Sequence, residues 1–251
     1  MSVSATYFRH RSTVLLLLVA PILALVLGPR VAAPEELATG TALAIGGALL
    51  RLASMRCIGR GARVHRADVR GQLVTWGPYS WSRNPLYLAA AMILAGLAVN
   101  AGASWWGLLL LPGAFLVYTP VVKHEEVAIA ESAGEEYERY RASVSRWIGL
   151  PAKSEDAPPE RVGWGEVLRR EVGLIPGVVV GIVGVVLVSR DVLPLRRLLS
   201  SLVPEGVPPA AVALGLLGLG ALINSLGLER KRRRHEARRA ANREREASGT
   251  A

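Results

Sequence analysis

Apolar residues collect along the chain into blocks long enough, and free enough of charge, to be read as membrane helices. The first runs from Thr13 to Gly28 and extends through Tyr7 and Phe8 at an interface; the second, Leu37 to Leu52, is rich in Ala and Gly, which lets helices approach closely. Pro85 to Val99 and Trp105 to Val122 follow, joined by Asn100-Ala-Gly-Ala-Ser104, a connection short enough to predict a helical hairpin. Val172 to Ser189 and Val207 to Leu228 complete the series. The pattern predicts an all-α fold, a polytopic transmembrane helical bundle of about six crossings. After Lys123 the period changes. Tyr137, Tyr140, Val144, Trp147 and Ile148 recur at three- and four-residue spacing, with Glu135, Glu138, Arg139 and Arg141 on the other faces. That spacing predicts an amphipathic helix at the cytoplasmic face, lying on the membrane or on the hairpin.

The chain then divides into five parts. Residues 1–55 form an N-terminal transmembrane hairpin, and 56–151 a core of basic loop, helical hairpin and amphipathic helix. A linker with prolines and acids occupies 152–171, a second helix pair 172–228, and a basic tail 229–251. Val31-Ala-Ala33 resembles a signal-peptidase site, but the apolar blocks that follow favour a retained helix.

Charge orients this arrangement. Apolar residues make up 51% of the 251, and 30 Lys and Arg against 20 Asp and Glu leave a formal charge of +10. The arginines sit in runs between apolar blocks, as in Arg51, Arg56, Arg60, Arg63, Arg66 and Arg70. Loops so short and basic stay cytoplasmic, which places both termini inside and the protein in the plasma (inner) membrane. The tail around Arg230-Lys-Arg-Arg-Arg-His235 follows an apolar block directly and lacks stacking aromatics, so anionic lipid headgroups suit it and nucleic acid does not. A single cysteine, Cys57, excludes a disulfide within the chain.

Candidate chemistry concentrates in Gly77-Pro-Tyr-Ser-Trp-Ser-Arg-Asn-Pro-Leu-Tyr87 and in Lys123-His-Glu-Glu126. Asn84 followed by Pro85 reads as a helix start, whose free amides and positive dipole end suit a carboxylate or phosphate. The hairpin brings Tyr87 and Glu125 to similar depth. Glu125 and Glu126 are costly at a membrane interface unless a cation meets them, so either a zwitterionic ligand or an ion pair with Lys123 or Arg83 is expected. His124-Glu-Glu-Val-Ala128 lacks the second histidine of a zinc-protease helix, and no metal site is expected. Neither a glycine-rich dinucleotide turn nor a Gly-x-Ser-x-Gly elbow is present.

Five motifs in register resemble the isoprenylcysteine carboxyl methyltransferase and phospholipid methyltransferase families. They are Leu73-Val-Thr-x-Gly-Pro-Tyr79, Ser82-Arg-Asn-Pro-Leu-Tyr87, Glu125-Glu126, Gly134-Glu-Glu-Tyr-x-x-Tyr140 and Val144-x-Arg-Trp-Ile148. The resemblance covers Val64 to Pro151. It implies an integral-membrane methyltransferase that uses S-adenosyl-L-methionine at the cytoplasmic face, with residues 56–151 as its catalytic core. By motif position, Gln72, Leu73, Val74 and Tyr79 line the cofactor pocket, Asn84, Pro85 and Tyr87 close over it, and Glu125 binds the cofactor's polar end. Two positions depart from the pattern: Asn84 stands where these families usually have histidine, and Val121 where the carboxyl-methylating enzymes have arginine.

Methyl transfer from a sulfonium asks the protein for positioning and desolvation rather than for a nucleophile. Arg83 or Lys123 would orient an acidic acceptor; an amine acceptor must lose a proton, for which His124 or Glu126 is the candidate base. The acceptor expected is lipophilic, a prenylcysteine-type carboxylate or a lipid amine or hydroxyl, entering from the bilayer. Two other readings stand beside this one: an NADPH-dependent membrane reductase of related fold, and a non-catalytic scaffold that recruits partners through its basic tail.

Overall fold

The computed structural model describes residues 31–58, 73–152 and 162–189. The apolar blocks at 13–28 and 207–228, the basic loop from 59 to 72 with Gln72, and the tail at 229–251 lie outside the described residues. Among the described residues all regular structure is helical.

Helix α1, Pro34–Cys57, starts with proline at a position that needs no amide hydrogen, and the Glu36 carboxylate accepts the Ala33 N–H at 2.9 Å. The helix continues five residues past Leu52, so Arg51 and Arg56 stand on it rather than in a loop. Helix α2, Pro85–Ala98, lies against it through small residues. A Cβ added at Gly96 would meet the Gly40 carbonyl oxygen at 2.4 Å, and one at Gly47 the Ala89 carbonyl oxygen at 2.7 Å. Backbone therefore touches backbone, and the Ala and Gly content of residues 37–52 is what permits it.

A π-helical turn, Val99–Ala103, and a 3-10 segment, Ser104–Leu109, lead into helix α3, Leu110–Ala133. Gly102, at φ +97°, and Ser104, at φ +56°, break the helical path. The reversal is visible in the packing, since Ala91, Leu94 and Ala98 of one arm cluster with Ala114, Tyr118 and Val122 of the other. Asn100 is not an exposed turn residue. It is fully buried and donates from Nδ2 to Thr41 Oγ1 at 3.2 Å, tying the turn to α1.

Helix α3 runs to Ala133, well past the expected end at Val122. Gly134, at φ +55°, separates it from α4, Glu135–Ser143. The amphipathic helix is thus shorter than its period predicts. From Val144 onward the chain leaves the helix and runs on through bends, bonded to residues 80–83: Arg83 N–H to Ser145 O at 3.0 Å, Gly149 N–H to Trp81 O at 2.9 Å, and Ala152 N–H to Ser80 O at 2.8 Å. Val144 is buried beside Tyr137 and Tyr140, and Trp147 stacks on Phe115 with centroids 4.6 Å apart, while Ile148 is exposed.

Inside the stretch read as linker, Trp164–Arg170 forms helix α5, and a 57° bend leads to α6, Leu174–Ser189. This pair straps onto α1. Arg51 Nε bonds Glu171 at 2.9 Å, the Arg56 guanidinium lies 4.5 Å from the Trp164 ring centre, and Val167 packs with Leu52 and Met55. By length and composition, two stretches among the described residues reach the size of a membrane crossing, α1 and Pro85–Ala133, and a third does if α5 and α6 count together. The second stretch is the folded hairpin, so the described crossings fall short of the six expected, two of which lie outside the described residues.

Candidate functional site

The site forms where the open end of the α2–α3 hairpin meets the non-helical strap at 144–152. Pro85 opens α2, and the Asn84 carbonyl accepts the Tyr87 and Leu88 amides, both at 3.1 Å. Asn84 stands at the cap position without capping through its side chain. Its Nδ2 instead donates to the Arg146 carbonyl at 3.2 Å, because the strap passes within reach.

One turn into α2, the Tyr87 hydroxyl donates to Glu125 Oε1 at 3.1 Å, and its ring lies 4.8 Å from that of Tyr118. The expected meeting of Tyr87 and Glu125 is therefore a direct hydrogen bond. Glu125 faces inward with Val121 and Val122, which are 1% and 0% exposed. Successive helical residues turn by about 100°. Lys123 accordingly points away, about 160° around α3 from Glu125, and is exposed. His124 is half-buried.

Glu126 is engaged by two guanidiniums. Arg146 reaches it through Nε at 3.2 Å from each oxygen and through Nη2 at 2.8 Å from Oε2, and Arg83 Nη2 lies 3.5 Å from Oε1. The ion pair with Arg83 was among the expectations; the one with Arg146 was not. Arg146 stands in the motif Val144-x-Arg-Trp-Ile148, past the end of α4 at Ser143, so helical spacing does not point to it. Its hydrogen bonds to Glu126 hold the guanidinium in its charged form more firmly than usual.

The tyrosines around this end are poor acids. Burial, then the neighbouring Tyr140, Cys57 and Glu125, push the Tyr79 phenol well above its ordinary value. Tyr140, which donates to the Tyr79 carbonyl at 2.8 Å, is raised mainly by burial, as is Tyr137. The raised values keep all three phenols neutral, and Tyr140 serves as a hydrogen-bond donor.

Of the remaining expected residues, Leu73 packs against Tyr137, Tyr140 and Val144, Val74 is half-buried, and Pro85 is buried. Gln72 lies outside the described residues. The structure brings together Tyr79, Arg83, Asn84, Tyr87, Glu125 and Glu126, and it adds Arg146 and Tyr137. The latter was read as the apolar face of a helix, yet its hydroxyl is buried without a hydrogen-bond partner.

Residues 36–135 match the model of the phospholipid methyltransferase family, one of the two families that the motifs resemble. The match takes in α1, the whole hairpin and α3, and ends as α4 begins; the strap, α5 and α6 lie beyond it. No curated protein and no solved structure matches the chain. With its apolar helices, this segment marks the chain as a membrane protein.

Proposed function

We propose that the chain is an S-adenosyl-L-methionine-dependent methyltransferase of the plasma (inner) membrane, acting on a lipophilic acceptor at the cytoplasmic face. The observation that carries this reading is the Tyr87–Glu125 hydrogen bond across the open end of the hairpin, beside a helix start and a buried arginine with donors to spare. The donor set fits the cofactor's amino-acid end. Glu125, oriented by Tyr87, offers a carboxylate to an ammonium or to ribose hydroxyls; at the Asn84–Pro85 helix start, where Pro85 has no N–H and the Tyr87 and Leu88 amides bond the Asn84 carbonyl, the Leu86 amide is the one left for a carboxylate. Leu73 and Val74 supply the apolar wall, and Tyr79 closes it as a neutral phenol.

When bound, this cofactor supplies a methyl group already activated as a sulfonium. The chain's own work is to fix orientation and exclude water. Arg83 orients an acidic group, and Lys123, on the outer side of α3, meets lipid headgroups. For an amine acceptor, His124 is the better-placed base, because the Glu126 oxygens are already engaged by two guanidiniums.

The test is incorporation of labelled methyl from S-adenosyl-L-methionine into the lipid fraction of membranes that contain the protein. Label is expected with the wild type and not with Glu125→Ala. No label above background, together with no binding of S-adenosylhomocysteine by the purified protein, would rule the reading out.

A further inference from the structure

Two side chains near Glu126 are buried with donors left over. The Arg83 side chain is 8% exposed, its nearest anionic contact is Glu126 at 3.5 Å through Nη2, and Nε and Nη1 are buried with no hydrogen-bond partner. Tyr137 is 2% exposed, and its hydroxyl is likewise buried and without a hydrogen-bond partner. Leaving such groups unmatched in a dry site is expensive, and a guanidinium is the costliest of them.

Glu126 does not discharge this cost. Its carboxylate already takes three bonds from Arg146, so one negative charge stands between two positive ones and the cluster carries +1. Arg83 is also pinned by its main chain, since its N–H bonds Ser145 O at 3.0 Å within the strap. Tyr137 packs against Val144, and the next residue, Ser145, accepts the Arg83 N–H, so the phenol and the guanidinium share one neighbourhood. A buried cluster in which two guanidiniums face one carboxylate, with spare N–H and O–H donors, is complementary to an anion that carries oxygen acceptors.

We infer that Arg83 and Tyr137 form an oxyanion receptor inside the site, taking phosphate or carboxylate oxygens of a ligand, with Glu126 and Arg146 as positioning residues that hold the guanidinium in place. This rests on the methyl-transfer reading and deepens it. The oxyanion has two sources, an acid group on the acceptor or the carboxylate of the methyl donor. A neutral long-chain alcohol has nothing to offer these donors.

The experiment uses the full chain, purified in neutral maltoside micelles, and reads ligand affinity from the shift of the thermal midpoint. S-adenosylhomocysteine is compared with 5′-methylthioadenosine, which lacks the amino-acid end, and dodecyl phosphate with dodecanol. In the wild type, at least one anionic probe binds about tenfold or more tightly than its neutral counterpart. Arg83→Gln abolishes that advantage, Tyr137→Phe reduces it severalfold, and Arg139→Gln, an exposed cation on α4, leaves it intact. Glu126→Gln weakens the anionic probe and spares the neutral one, which a merely structural role would not do. Loss in the nucleoside pair assigns the oxyanion to the donor; loss in the dodecyl pair assigns it to the acceptor. The inference is overturned if neither anionic probe has an advantage in the wild type, or if the advantage survives in both Arg83→Gln and Tyr137→Phe. Should Arg83→Gln fail to fold, Tyr137→Phe and Arg146→Gln decide alone. A wild type that binds neither nucleoside contradicts the methyl-transfer reading and leaves the dodecyl pair to decide the receptor.

Discussion

The two ends of the α2–α3 hairpin use polar residues in opposite ways. At the turn, Glu36 accepts from the Ala33 amide and the Ser104 hydroxyl, and Asn100 reaches Thr41, so that α1 is latched to the turn. The Asn100 amide oxygen has no donor, but it fills the notch at Gly40, where an added Cβ would come within 2.2 Å of it. At the open end, Tyr87 reaches Glu125 while Arg83 and Tyr137 keep donors unspent. The first arrangement is closed by packing and has no room for anything else. The second is ordered but incomplete, and incompleteness among buried donors is what separates a binding site from a structural lock.

That contrast can be broken from either side. The largest effect is expected at the open end: Glu125→Ala should lower kcat/KM for methyl transfer by about 100-fold, the loss of a charged hydrogen-bonding partner, with the unliganded thermal midpoint little changed. A variant that unfolds instead would make Glu125 a structural residue. At the close-packed contact the balance reverses. Gly96→Ala places a methyl 2.4 Å from the Gly40 carbonyl oxygen, and overpacking of this kind costs about 1–3 kcal/mol, to be read as a lower denaturation midpoint with S-adenosylhomocysteine affinity retained in the folded fraction.

A smaller change sharpens the picture. Tyr87→Phe removes one hydrogen bond and leaves the ring on Tyr118, so donor affinity should fall about fivefold, the equivalent of about 1 kcal/mol, in a titration followed by intrinsic fluorescence. No change would mean that Tyr87 does not orient Glu125. The smallest effect is one of pH. Tyr79, Tyr137 and Tyr140 ionise less readily in the folded protein than in the unfolded chain, so the unfolded state loses its protons first as pH rises past the ordinary value of about 10. Their contribution is complete below that pH and declines above it. Chemical denaturation midpoints should show no tyrosine-linked loss up to about pH 9 and a decline beyond about pH 10; Tyr79→Phe should shrink the decline.

Much of this was legible in the residues themselves. Tyr87 and Glu125 meet because a short turn folds two apolar blocks back on each other, Tyr87 lying just inside the start of the first block and Glu125 just past the end of the second. The close α1–α2 contact follows from glycine and alanine at the facing positions. Arg146 was hidden because Tyr137, Tyr140 and Val144 share a helical period, whereas the chain leaves the helix at Ser143 and delivers Arg146 from a bend in the strap. Val144 is buried in either conformation, so its hydrophobicity could not tell them apart. The side chain of Asn84 was read as a cap because the motif before proline favours one; only the proximity of the Arg146 carbonyl, a contact across 62 residues, redirects it. The extension of α1 past Leu52 has the same origin, since Met55 and Arg56 find their partners on α5, in a stretch whose prolines and acids read as linker.

The proposed seat for a methyl donor beside the Tyr87–Glu125 hydrogen bond is tested most directly by the thermal midpoint of the full chain with and without saturating S-adenosylhomocysteine, for the wild type and for Glu125→Ala. A ligand at about 100 times its Kd stabilises the native state by about 2.7 kcal/mol, so the wild type should shift upward by several degrees and the variant should not. An unmoved wild type, or an equal shift in both proteins, would contradict the account.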